Sequence, residues 1–208
     1  MKPAHAQKLG AVILAAGRSA RMGRPKLLLP WGKTTVLGHL VEEWQRLGAG
    51  QITVVCAAGD AAIHAELDRL GFPLKERIIN PRPDRGMFSS IQCAARWKGW
   101  RRALRHWAIV LGDQPHLRPE TLAAVVQAGA KLSGHVSQPA WHGQAGHPVL
   151  LPKELFLLLA HSRAKTLKGF LQRKRVILCE VDDPGLTTDL DTPEDYEAAV
   201  RGRWFKKL

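Results

Sequence analysis

The chain has 208 residues, 45% of them hydrophobic, which suits one sizeable domain with its own core spanning residues 1–208. A formal charge of +13 calls for an anionic partner and leaves nucleotide, nucleic acid and membrane surface open. Three cysteines in apolar segments without C-x-x-C spacing indicate neither a zinc site nor a disulfide framework, the first ten residues lack an apolar h-region, and no apolar run approaches the roughly 18 residues that span a bilayer. A cytoplasmic protein in a reducing compartment, with no membrane partner, is expected.

Residues 11–14 read as a buried strand of a parallel sheet. The stretch from Leu14 to Lys26, Leu-Ala-Ala-Gly-Arg-Ser-Ala-Arg-Met-Gly-Arg-Pro-Lys, contains two glycines and four cations, the composition of a polyphosphate cradle. Gly17 would let the chain turn at the strand's carboxyl end, where open α/β sheets place ligands. Small side chains at Ala15, Ala16 and Gly17 let a nucleotide approach the backbone, and Arg18, Arg21 and Lys26 with the loop amides suit phosphate oxygens. The alternative is an ordinary basic surface turn. The spacing matches neither G-x-x-x-x-G-K-[ST] nor G-x-G-x-x-G, so neither a Walker kinase nor a dinucleotide oxidoreductase is supported.

A helix capped by Thr34 or Thr35 and stopped at Gly48 comes next, then a strand over residues 51–57 and a helix capped by Asp60. A third strand is marked by Ile78 and Ile79. This alternation predicts crossovers and a doubly wound sheet. Residues 80–91 are turn-rich and open a helix that Ser89 or Ser90 would cap, or use to bind a ligand; Gly86 permits close backbone approach. Residues 96–107 interleave Trp97, Trp100 and Trp107 with Lys98, Arg101, Arg102 and Arg105. An amphipathic helix with its tryptophans inward fits them, as does a nucleic-acid surface, the weaker of the two readings.

A fourth buried strand at 108–111 ends in Gly112-Asp113-Gln114-Pro115, which places Asp113 at a strand's carboxyl end beside the ligand crevice, suited to a divalent metal. After a helix over 120–131, residues 143–151 read as a glycine-rich hairpin or lid and then a strand; Gly146 and His147 either face a substrate phosphate or, as is usual for a lone histidine, are ordinary hydrogen-bonded residues. A short buried helix at 155–159, a cationic helix at 165–175 and a strand at 176–181 follow. Thr192-Pro193 with Asp195 starts a helix. Asp189 and Asp191 alternate on an extended segment, so one of them reaches a metal, and Asp191 is the choice.

Residues 14–26, 80–91, 111–115, 146–151 and 189–196 together resemble, in order, the motifs of the nucleotidyltransferases that attach a nucleotide to the molybdenum cofactor, and the first looks most like the cytidylyltransferase branch. The resemblance implies an α/β three-layer Rossmann-like fold with a mostly parallel doubly wound sheet. It implies transfer of CMP from CTP to the phosphate of molybdopterin, with Mg2+ as cofactor and, as a partner, a molybdoenzyme. By it, Arg21, Lys26 and Asp113 are catalytic, and Asp113 and Asp191 hold the metal. Leu14, Ala15, Ala16, Gly17, Arg18, Ser19, Lys26, Asn80, Gly86, Ser90 and Asp113 border the nucleotide, and Gly146 and His147 the acceptor. The guanylyl branch usually carries Gly at the position of Ala16, so Ala16 favours CTP; one methyl discriminates by about 1–3 kcal/mol. GTP as donor, another phosphate monoester as acceptor, and a cofactor-inserting chaperone or nucleic-acid-binding protein stand as alternatives.

Overall fold

The apolar run Leu9–Ala15 forms strand β1, buried along its whole length in a computed structural model that describes residues 8–17, 19–132 and 134–203. The chain then passes through a small hairpin, β2 (Pro30–Trp31) and β3 (Thr34–Thr35), into helix α1 (Val36–Arg46). Next come β4 (Gln51–Ala57), α2 (Ala61–Arg69), β5 (Arg77–Asn80), α3 (Met87–Arg96), β6 (His106–Leu111) and α4 (Pro119–Lys131). The remainder is β7 (Val136–Trp141), β8 (Gln144–Ala145), β9 (Val149–Pro152), α5 (Lys153–Leu159), α6 (Leu167–Leu171), β10 (Val176–Glu180) and α7 (Pro193–Ala198).

One eight-stranded sheet runs β10-β7-β9-β6-β1-β4-β5, with β8 paired to β7. Strands β5, β4, β1 and β6 are parallel, and β9 is inserted antiparallel between β6 and β7. From β1 the chain builds outward to β4 and β5, then returns to lay β6 on the other side. That reversal opens a crevice beyond the carboxyl ends of β1 and β6.

The pleat of β1 divides the core in two. Leu9, Ala11, Ile13 and Ala15 face a layer containing α1, α2, α4 and α7; Val12 and Leu14 face a layer of α3, α5 and α6. The architecture is three-layered and Rossmann-like. Helix starts follow local chemistry: Thr35 Oγ1 accepts from Gly38 N–H and the Asp60 carboxylate from Ile63 N–H, caps worth about 1 kcal/mol each.

Residues 96–107 are not a helix. Helix α3 ends at Arg96, and the chain runs through turns to β6. The tryptophans do turn inward: Trp107 stacks on Phe156 with centroids 4.6 Å apart, and Trp100 meets Trp97, Trp107 and Phe156 edge-on. Gly10 makes room for this group, since a Cβ there would lie 2.9 Å from the Trp107 ring. The cationic helix also shortens, to α6 alone, and Ser89 and Ser90 cap nothing because Gly86 is the N-cap of α3. All three cysteines are free, and burial pushes the Cys56 thiol up to about 12. Among the described residues no helix is long and apolar enough to cross a membrane.

Candidate active site

A cavity of about 560 Å3 opens beyond the carboxyl ends of β1 and β6. One wall is the loop after β1, another the N-terminus of α3, and Leu14 and Leu111 form its apolar floor.

The loop is folded by its own residues. Ser19 adopts the left-handed conformation (φ 45°, ψ 37°), and its Oγ accepts from the Lys26 N–H at 3.1 Å, which closes a seven-residue span. Gly17 has no positive φ and a Cβ there would meet nothing within 4 Å, so neither the turn nor protein packing requires glycine. The space it leaves belongs to the cavity. Gly112 is needed by its neighbours: a Cβ would lie 2.9 Å from the Leu14 carbonyl oxygen and from a Leu27 methyl. Its absence lets the end of β6 lie against the loop.

That close approach assembles the charges. Lys26 Nζ donates to Asp113 Oδ2 at 2.8 Å and to Asp191 Oδ1 at 3.3 Å, while Arg21 pairs with Asp191 Oδ2 at 2.7 Å. Lys26 is largely buried, Arg21 mostly exposed. The carboxylates are registered by backbone, since Leu190 N–H donates to the Asp113 carbonyl at 2.9 Å. A capping box fixes the approach of Asp191: Thr192 Oγ1 accepts from Asp195 N–H, and the Asp195 carboxylate accepts from Thr192 and, at 3.3 Å, from Asp191 N–H. Hydrogen bonds from the Thr192 side chain hold the Asp195 carboxyl below its ordinary value. Asp113 Oδ1 is buried without a hydrogen-bond partner among the described residues. An open carboxylate oxygen beside a second carboxylate is a donor set that fits a hard divalent cation.

On the opposite wall, Gly86 holds φ 82°, ψ 176°, a conformation reserved for glycine, and no side chain caps the N–H groups of the first turn of α3. Ser90 lines the cavity beside Gly86 and Met87. Asn80 lies behind them, 1% exposed. Its Nδ2 donates to Ser89 Oγ at 2.8 Å and Ser90 Oγ at 2.9 Å, and its Oδ1 accepts from Arg82 N–H.

Of the expected nucleotide and metal residues, Leu14, Ala16, Gly17, Ser19, Arg21, Lys26, Gly86, Ser90, Asp113 and Asp191 line this one cavity. Ala15 faces the opposite layer and Asn80 acts through the serines; Arg18 lies outside the described residues. Leu27, Pro83, Asp84, Met87, Leu111 and Gly112 also line it. Of these, Pro83 and Asp84 were legible as part of the turn before Gly86, and Leu111 as the last residue before Gly112-Asp113.

Gly146 and His147 line a second cavity, of about 330 Å3, with Gln114, Gln144, Leu186 and Asp189. It shares Leu111 with the first, and Gln114 is the residue after Asp113. Burial lowers the His147 pKa, so its imidazole is neutral at neutral pH and is no cationic anchor for phosphate. Asp189 accepts from Gln114 Nε2 at 3.0 Å; desolvation, then the nearby Asp113 charge, raise its carboxyl above the ordinary value. Asp189 and Asp191 therefore serve different cavities, as their alternation suggested. A wall of this second cavity is held by Asp183, fully buried, whose carboxylate accepts from Arg118 N–H, Thr121 Oγ1 and Gly185 N–H.

The chain is similar to the molybdenum cofactor cytidylyltransferase of Escherichia coli strain K12, 23% identical with 92% of this chain and 95% of the relative covered. It is similar also to the purine catabolism protein PucB of Bacillus subtilis strain 168, 28% identical over 91% of this chain and 95% of the relative. Among solved structures, Rv0371c of Mycobacterium tuberculosis H37Rv in complex with manganese superposes with a TM-score of 0.67 at 25% identity, covering 94% of this chain and 99% of that one. The family described as the MobA-like NTP transferase domain matches residues 11–183, and the chain belongs to that nucleotidyltransferase family.

Proposed function

We propose that the protein is a cytidylyltransferase that joins CMP from CTP to the terminal phosphate of molybdopterin and releases pyrophosphate, with Mg2+ as its cofactor. The observation that carries this reading is Lys26 placed between Asp113 and Asp191 at the cavity floor, beside an unpartnered carboxylate oxygen. A phosphate oxygen of the acceptor forms a bond to the α-phosphorus, and the bond between that phosphorus and the α,β-bridging oxygen breaks. The electron pair leaves with pyrophosphate. A phosphate monoester is largely dianionic at neutral pH, so the attack needs no general base, and the neutral His147 imidazole is not asked to be one.

The protein's task is position and charge. Lys26 and Arg21 offset the triphosphate, and the uncapped first turn of α3 presents N–H groups to it. Ala16, Gly86 and Ser90 border the nucleoside. Asp113 and Asp191 would hold Mg2+, which supplies Lewis-acid neutralisation of charge on the phosphates. Gly146, His147, Gln114 and Asp189 offer hydrogen-bonding groups that suit a pterin edge, and the 92% coverage by the E. coli relative supports that acceptor. On this reading residues 1–208 are one nucleotidyltransferase domain acting in the cytoplasm, in keeping with three free thiols, and a molybdoenzyme would receive the product.

The test is pyrophosphate release from CTP, GTP, ATP and UTP, each with Mg2+ and molybdopterin or a sugar phosphate. Release with CTP and molybdopterin is expected. Release with GTP instead overturns the choice of base, and release with the sugar phosphate alone overturns the acceptor.

A further inference from the structure

The active-site cavity holds none of the chain's net positive excess among its described lining residues. Among its described lining residues, Arg21 and Lys26 stand against Asp84, Asp113 and Asp191, so the excess of +13 lies elsewhere. At the opposite end of the sheet, a cavity of about 470 Å3 is lined by Lys8, Arg105, His106, Lys153 and a single acid, Glu154, with Ala130 and Gly134 from the end of α4 and beyond.

Three of these cations are stitched together by backbone. Arg105 N–H donates to the Lys8 carbonyl at 2.7 Å and Lys153 N–H to the Arg105 carbonyl at 2.9 Å, across the adjacent ends of β1, β6 and β9. With strands roughly 4.8 Å apart, the three lie within about 10 Å of one another. Among the described residues, no carboxylate is within ion-pair distance of any of them. The Arg105 guanidinium donates only to the Arg102 and Leu104 carbonyls, which orients it without neutralising it. The carbonyl end of α4 offsets about half a charge, less than the three cations present. Like charges held side by side by a sheet repel, and a concave site that gathers three cations against the single carboxylate of Glu154, with no ion pair among the described residues, suits a multiply charged anion.

We propose that this cavity is a second binding site, for a compact polyphosphate anion, either inorganic or carried by a nucleotide, at the end of the sheet remote from catalysis. The experiment is calorimetric titration of the whole protein with inorganic triphosphate and, separately, with CTP. Two classes of site for triphosphate are expected. Lys26→Ala should weaken one class, and Arg105→Glu with Lys153→Glu should weaken the other by about tenfold or more while leaving pyrophosphate release in place. Two classes with CTP as well identify nucleotides as a source, and one class identifies inorganic polyphosphate. The Arg105→Ala/Lys153→Ala pair gives the same loss if the reversed charges disturb folding. A single class of triphosphate site, lost in Lys26→Ala and untouched by changes at Arg105 and Lys153, overturns the proposal. So does tighter binding of a single-stranded oligonucleotide than of triphosphate, with affinity that grows with strand length, which assigns the surface to nucleic acid. The calorimetric readout does not require turnover, so failure of the transfer reaction is separately visible.

Discussion

Two basic stretches of similar length, residues 14–26 and 96–107, are put to opposite uses. In the first, Arg21 and Lys26 turn toward the carboxylates of Asp113 and Asp191, and the small side chains leave a cavity. In the second, the tryptophans fill the core against Phe156 and the cations are left on the surface or the sheet's rim. What separates them is the partner each meets: Gly112 delivers a carboxylate to one, and Gly10 delivers space for indole rings to the other. One stretch is specialised for charge, the other for stability.

This contrast predicts separable effects. Asp113→Asn removes an oxygen of the proposed metal site and half of the Lys26 pairing, and should lower Mg2+-dependent turnover by about 10²–10³-fold with little change in unfolding midpoint. Turnover near that of the wild type would take Asp113 out of the metal site. Trp107→Ala should do the reverse, costing about 3–5 kcal/mol by denaturant unfolding while leaving the reaction rate of the folded fraction intact. A stability loss below about 1 kcal/mol would show that the aromatic group is not a core element.

Ala16→Gly tests the loop from within. It should move the CTP to GTP preference toward GTP by about 5- to 150-fold, measured as a ratio of kcat/KM values, and an unchanged ratio would show that Ala16 does not read the base. The smallest effect is expected at Asp189. Its native carboxyl titrates above the ordinary 3.8, so the folded state binds more protons and this residue's contribution to stability falls as pH rises through the raised value. Asp189→Asn keeps an oxygen for Gln114 and should raise the melting temperature slightly at pH 7, with the gain vanishing below the unfolded value near 3.8. A gain that persists at pH 3 would assign the effect to something other than ionisation.

The sequence was readable where one residue does one local job. Thr35 and Asp60 cap the helices their positions announced, and β4 spans residues 51–57 as its β-branched run implied. Gathering of the motif residues around one cavity was readable too, because strand ends converge at a reversal of strand order. Tertiary partners decided what was not readable. The helix expected at 96–107 breaks because the tryptophans pack with Phe156, some 50 residues later in the chain but in the same layer. Ser89 and Ser90 looked like caps because the buried Asn80 that engages them is not adjacent in sequence. Ala15 was misplaced for a local reason: strict alternation after Leu14 already turns it away from the crevice. The amino-end cavity left only its net charge in the sequence, since Lys8, Arg105 and Lys153 become neighbours through strand pairing alone.

Lys26 and Asp191 are 165 residues apart. A chain emerging from the ribosome completes the central strands, the loop and the first carboxylate long before the second one exists, and domains begin to fold from the N-terminal end during synthesis. The capping box that aims Asp191 is delivered after both the loop and that first carboxylate. A nascent chain therefore carries Lys26 and Asp113 before Asp191, and the charge cluster can assemble only once residue 191 has emerged.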